Sequence, residues 1–221
     1  MTYLREEVKS EALVRNLGGF QHFLDVAAAS FGQQVNFLDI SRQCRVAYAT
    51  VREYYSILED TLLGFFLYPY LKSVRRRMSH QPRFYLFDNG VTRALMGSVV
   101  SSVLSPMEKG RLFEQWCFQE VARAQAYRHH AWKLYFWRTS DGAEVDLLIE
   151  VAGELQWALE FKAKDRILGP DLRGLHSFQK IFPHVKTAAI GLVPHTYRLE
   201  GIPIFPAQDF LRTMEAGTAS A

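Results

Sequence analysis

Apolar positions recur at helical spacing along the N-terminal stretch, first as Leu4, Val8, Ala12 and Leu17 and then as Phe20, Phe23, Leu24, Ala27 and Phe31, around Gly18-Gly19. That period predicts a helical hairpin. Asn36 stands where a cap is needed for a short helix over 37–44, and a turn at 45–47 leads into a second helix over 48–60 with Val51, Tyr54, Tyr55 and Leu58 inward. The spacing is that of a helix-turn-helix. Two aromatic, β-prone runs at 65–71 and 83–87 then flank a polar loop, as two strands and a tip would. Asp88-Asn-Gly closes this unit, a short helix is expected over 91–96, and the Ser/Val-rich stretch 97–105 reads as a linker. The pattern places a domain boundary near residue 100, between domains 1–100 and 101–221.

The second half has a different rhythm. Ser105-Pro-Met-Glu108 offers a capping box with Pro at the first helical position, which predicts a long helix to about Tyr127. Strands follow at 132–138, 144–151 and 156–162, then a helix over 171–182 and a strand over 186–193. The order is α-β-β-β-α-β. The chain thus reads as an α+β or α/β protein, a helical winged helix-turn-helix domain followed by a mixed-sheet domain.

Composition narrows the class further. Apolar residues at 48% and charged residues at 22% of 221 are ordinary globular values and exclude a disordered, collagenous or coiled-coil chain. The longest apolar stretch, 62–71, is broken by Pro69 and is about half the ~20 residues a membrane helix needs. No signal peptide opens the chain, and Cys44 and Cys117 make no Cys-x-x-Cys pair, so a reducing, cytoplasmic setting without membrane contact is expected. The net charge of +3 lies entirely in residues 1–100, which hold twelve Lys/Arg against nine Asp/Glu, while the remainder is balanced at fourteen each. Lys72, Arg75, Arg76, Arg77 and Arg83 make one basic loop free of acids. Such a run is either a solvated loop or a polyanion contact. The helix over 48–60 would expose Ala49, Thr50, Arg52, Glu53 and Ser56; Thr50 and Arg52 suit DNA, Glu53 does not, and protein docking is the alternative.

The most informative stretch is 144–162. If Gly153 centres a three-residue hairpin loop, Asp146 faces Glu160 and Glu144 faces Lys162 across the strands. The other face is then Val145, Leu147, Ile149 and Val151 against Leu155, Trp157, Leu159 and Phe161, a continuous apolar surface. Directly opposed carboxylates repel. A divalent cation held by Asp146 and Glu160 would relieve that repulsion, and hard oxygen ligands suit Mg²⁺ or Mn²⁺ rather than Zn²⁺. Lys162 would then stand where negative charge develops on a phosphate. The alternative is a solvated hairpin face with a Glu144–Lys162 pair.

Asp146, thirteen intervening residues, then Glu160-Phe-Lys162, set in α-β-β-β-α-β, resembles the PD-(D/E)XK restriction-endonuclease-like superfamily. The resemblance makes Glu114 the helical acid and implies catalytic roles for Glu114, Asp146, Glu160 and Lys162. Val145 stands where the first motif position would be Pro, and Gln179 is a surface residue or an assisting glutamine. Over nearly the whole chain, Tyr3-Leu-Arg-Glu-Glu, Ile57-Leu-Glu-Asp-Thr, Phe84-Tyr-Leu-Phe-Asp-Asn-Gly, Gly110-Arg-Leu-Phe-Glu and Gly142-Ala-Glu-Val-Asp resemble the C-terminal half of prokaryotic AAA-type ATPases, whose C-terminal domain is of unknown function. That resemblance implies an upstream ATPase partner domain. The chain itself has no Gly-x-x-x-x-Gly-Lys-Ser/Thr, hence no ATP site of that kind. The expected function is a DNA-binding, Mg²⁺- or Mn²⁺-dependent phosphodiesterase; the alternative is a non-catalytic module that recruits nucleic acid or protein to the ATPase.

Overall fold

The computed structural model describes residues 16–71, 81–97, 103–127, 131–210 and 212. The expected first helix of the opening hairpin and the loop cations Lys72, Arg75, Arg76 and Arg77 lie outside the described residues. Two compact units are present, one running to Leu67 and taking in Gln81–Ser105, the other taking residues 68–71 and everything described from Pro106 onward.

In the first unit, α1 (Leu17–Ala29) is capped by the Asn16 carboxamide, which accepts from Gly19 N–H at 2.9 Å. The helix α2 (Phe37–Cys44) starts where Asn36 accepts from Asp39 N–H and stops at Arg45, whose φ of 55° breaks the helical path. After that turn comes α3 (Tyr48–Asp60). Strands β1 (Gly64–Pro69) and β2 (Arg83–Leu86) pair antiparallel with Gly64 opposite Leu86. The Asp88 carboxylate accepts from Val91 N–H and starts α4 (Asn89–Leu95) two residues before the expected position. Aromatic side chains fill the core. Phe23 meets Tyr55 edge-on at 4.8 Å, and Tyr55 meets Phe84 at 4.7 Å, which ties α1 to α3 and α3 to β2. Edge-to-face pairs add about 0.5–1.5 kcal/mol each beyond their burial.

The second unit opens with α5 (Pro106–Tyr127) and a sheet of β3 (Trp132–Arg138), β4 (Glu144–Val151), β5 (Glu154–Lys162), β6 (Lys186–Gly191), β7 (Tyr197–Leu199) and β8 (Ile202–Pro206). Between β5 and β6 come a 3₁₀ turn (Gly169–Leu172) and α6 (Arg173–Ile181). The strand order is β3-β4-β5-β6-β8-β7, with Tyr68 and Pro69 parallel to Tyr135 and Phe136 of β3. Meander pairs β3–β4 and β4–β5 are antiparallel, whereas β5–β6 and β6–β8 are parallel, as the α6 crossover requires. The helix α6 buries Leu175 and Phe178 against Trp137, Val145, Leu148 and Ala158, with Phe178 edge-on to Trp137 at 5.3 Å. The helix α5 packs on β5. Among the described residues, no helix is long and apolar enough to cross a membrane.

The β4–β5 hairpin corrects the expected register at its turn. Val151 pairs with Glu154, so the loop has two residues, Ala152 and Gly153, both at positive φ (52° and 87°), the requirement of a type I′ turn. A bulge between Ile149 and Glu150 on the pairing then shifts the register, giving Ile149 opposite Trp157 and Leu147 opposite Leu159. Beyond it the numbers are again symmetric about 153. A second bulge lies on β4 against β3, where Tyr135 faces Leu148 but Trp137 faces Val145. It turns Val145 to the face of Leu148, so the apolar face expected from strict alternation is not continuous.

Candidate active site and nucleic-acid face

The second bulge falls on the residues around Asp146, and the β4–β5 pairing ends one step short of Asp146 and Glu160. There the Asp146 carboxylate accepts from Phe161 N–H at 2.8 Å. A side chain thus takes a ladder donor. Bulges commonly re-aim a side chain beside a site. On β5, Glu160 is buried, 6% exposed, between Ala158 and Lys162, and its register neighbour on β6 is Ala189. The Lys162 ammonium donates to Glu160 Oε1 at 2.5 Å. Glu160 Oε2 is also buried and has no hydrogen-bond partner.

Charge supports the grouping. Burial, and next Asp146, push the Glu160 carboxyl well above the usual range against the opposing pull of Lys162, and Glu114 adds to the rise. Burial alone would depress Lys162, but Glu160 and Asp146 outweigh it and hold its ammonium charged. Burial raises the Cys117 thiol, with Asp146 and Glu114 contributing next, so this fully buried cysteine of α5 is an inert core group beside the acids. Glu114, Asp146, Glu160 and Lys162 therefore meet in one neighbourhood. Glu144 lies 3.7 Å from Arg138 in an ion pair, while Lys162 turns to Glu160.

Among the described residues, no group of three or more His, Cys, Asp or Glu side chains is arranged to hold a metal ion. Asp146 and Glu160 offer two carboxylates. Magnesium keeps several waters and is commonly bound through one or two carboxylates plus substrate phosphate. The unpartnered Oε2 of Glu160, a hard oxygen without a hydrogen bond, fits such a group.

In the first unit α3 exposes Ala49, Arg52, Glu53 and Ser56, with Thr50 half-buried. Arg83 requires a correction. It is 7% exposed at the start of β2, opposite Leu67, and its guanidinium donates to Tyr85 Oη at 3.4 Å. A cation used this way inside the fold is not presented to a phosphate. Gln179 donates to Thr187 Oγ1 at 2.8 Å, linking α6 to β6.

Residues 109–210 match the family described as Domain of unknown function (DUF4143), a domain found in C-terminal regions of AAA-ATPase-like proteins. Residues 1–101 match Domain of unknown function (DUF8612). An uncharacterized protein of Mycobacterium tuberculosis and one of Mycobacterium bovis are each 30% identical over 123 residues, 55% of this chain and 27% of theirs. The chain spans about a quarter of the length of these curated relatives. No solved structure matches it.

Two features beside the acids escaped the sequence reading. Lys164 pairs with Asp171 at 2.5 Å, and Asp171 also adds to the charge held on Lys162. Burial pushes the Asp171 carboxyl up, but Lys164 and the Leu168 N–H outweigh it and leave it lowered. The only sequence signal is the alternation Lys162-Ala-Lys164 running off a strand end. The other feature is an open cavity of about 450 Å³ whose walls include Phe113 and Trp116 of α5 and Gly191 at the end of β6.

Proposed function

We propose that the second unit is a PD-(D/E)XK-like, divalent-metal-dependent phosphodiesterase acting on DNA, and that the first is a winged helix that delivers the DNA. The observation that carries this reading is the buried, unpartnered Oε2 of Glu160 beside Asp146, with Lys162 on the opposite oxygen. An acid so placed is destabilising unless something cationic completes it. Asp146 and Glu160 would hold Mg²⁺ or Mn²⁺, which when bound lowers the pKa of a coordinated water and offsets charge on a phosphate. Phe161 N–H fixes the Asp146 carboxylate, so this ligand is preorganised by the backbone. Lys162 stays charged and offers its ammonium to a phosphate oxygen, where it acts on the transition state more than on the ground state. Glu114 keeps the site acidic from α5. The match to a domain of AAA-ATPase-like proteins supports an upstream ATPase partner and, with it, a cytoplasmic setting.

A second reading rests on one specific observation, the lack of a three-ligand metal group among the described residues. On that reading the chain is a non-catalytic module that recruits nucleic acid or protein to the ATPase. The two are separated by cleavage assays on single-stranded, duplex and branched DNA with Mg²⁺ or Mn²⁺, alongside calorimetry of metal binding. Lys162→Ala is expected to leave metal binding in place and to slow cleavage by ~10²–10³; Asp146→Asn weakens both. No turnover on any substrate and no metal uptake by the wild type would establish the recruiting module instead.

A further inference from the structure

The cavity between α5 and the ends of β6 and β8 is not used by the chemistry above. It is bounded by Phe113, Trp116, Leu192, Val193, Pro206 and Gln208, and its volume of about 450 Å³ is within the range of small-ligand sites, roughly 300–1,000 Å³. Phe113 and Trp116, one helical turn apart, stack at 6.1 Å with only 25° between their planes. Phe113 is buried, whereas Trp116 is half-exposed and so keeps a surface for another ring. The opposite wall is aliphatic, with Leu192 41% exposed beside the buried Val193. Gln208, an exposed side chain, supplies an amide at the rim.

Its position relative to the acids is fixed by the sheet. Gly191, on the cavity floor, is the register partner of Lys162, and Leu192 N–H donates to Lys164 C=O at 2.9 Å. Neighbouring strands lie about 4.8 Å apart, so the cavity opens beside the strand end that carries Lys162. Glu114 is in the same helical turn as Phe113 and Trp116. An open, largely apolar cavity with two stacked rings on one wall and an amide at its edge matches a heteroaromatic ring with polar edges.

We propose that this cavity receives an unstacked nucleobase, so that the substrate is single-stranded DNA or a duplex with unpaired nucleotides next to the cleaved phosphate. The inference rests on the phosphodiesterase reading for where the phosphate lies. Stacking on Trp116 supplies the base affinity, and every base has a face to offer, which gives a preference for strandedness rather than sequence. An intact duplex hides its bases and gains nothing from the slot. The occupant could instead be an apolar side chain of another protein segment, and that alternative is an outcome of the test.

The test measures binding without metal. A short fluorescent oligothymidylate and a strand of equal length built from abasic residues are titrated with the chain in EDTA. The wild type is expected to bind the base-bearing strand at least about tenfold more tightly, a difference of the size that removing one stacked base produces. In Trp116→Ala that ratio falls towards one, while Trp116→Phe retains most of it. Ala207→Trp, which fills the cavity from the far side, also collapses the ratio and decides the matter if Trp116→Ala does not fold. Equal binding of the two strands by the wild type, no binding of either, or an unchanged ratio in both Trp116→Ala and Ala207→Trp overturns the proposal and assigns the slot to a protein side chain. Base-dependent binding in EDTA with no cleavage in Mg²⁺ or Mn²⁺ supports the cavity and removes the phosphodiesterase reading, so the two failures are distinguishable.

Discussion

At the scale of single residues the molecule turns on Glu160, which has one oxygen on an ammonium and the other on nothing. Burial and the neighbouring Asp146 raise its carboxyl above the ordinary 4.5, so without a cation the folded state keeps a proton that the unfolded chain releases. Stability from this group is complete below about pH 4.5 and is lost as pH rises through the raised folded value, because the folded state binds more protons across that window. Urea midpoints of the wild type in EDTA should therefore fall across that window, whereas Glu160→Gln, which carries no titrating proton, should give a flatter profile. Parallel profiles for the two proteins would show that Glu160 is not strained by its surroundings. Lys162→Ala in the same experiment should steepen the wild-type decline, since the ammonium opposes the rise in Glu160.

At the scale of elements, the seating of α6 on the sheet depends on one glycine. A Cβ at Gly174 would fall 1.8 Å from the Glu144 carbonyl oxygen, so only glycine lets the start of α6 rest on the first residue of β4. Gly174→Ala must push the helix away, and overpacking of this kind costs about 1–3 kcal/mol. A denaturant melt reads that loss directly, and an unchanged midpoint would mean that α6 is free to shift. Much of this arrangement is legible in the sequence: Asn36 announces a helix start and the strands at 132–138 and 144–151 follow from their apolar content, whereas Asp88, which reads as a closing turn, is the cap of α4. The bulge beside Asp146 is not legible, because a one-residue insertion leaves no mark in an alternating pattern and merely changes which face each residue joins. The two-residue hairpin loop is hidden for a related reason, since nothing in the sequence marks Ala152 as a residue at positive φ that lets Ala-Gly form the turn alone. Strand β8 was hidden by Pro203 and Pro206, which argue against a strand with partners on both sides. Arg83 illustrates the same limit for charge, because a cation at a strand start reads like its loop neighbours until Tyr85 is seen to take it.

At the scale of the whole molecule, the two units divide the work of the proposed function and can be tested by perturbing one and reading both. Arg52 on α3 is exposed, and Arg75, Arg76 and Arg77 carry the acid-free charge of the first half of the chain. If these groups bind phosphates, neutralising Arg75, Arg76 and Arg77 together should weaken duplex binding and flatten its salt dependence, by a slope of about 0.9 for each phosphate left without its cation. Such a change leaves the second unit's acids untouched, so calorimetric metal binding should stay at the wild-type value. Lys162→Ala should behave oppositely, with the salt slope of duplex binding retained and cleavage slowed by ~10²–10³. Sites that share no partners add independently, to within a few tenths of a kcal/mol, so the combined variant should show both defects at their single-variant sizes. Fluorescence anisotropy across a series of salt concentrations measures the slope. An unchanged affinity and slope after the triple neutralisation would assign that loop to solvent, and DNA delivery by the first unit would then have to rest on α3 alone.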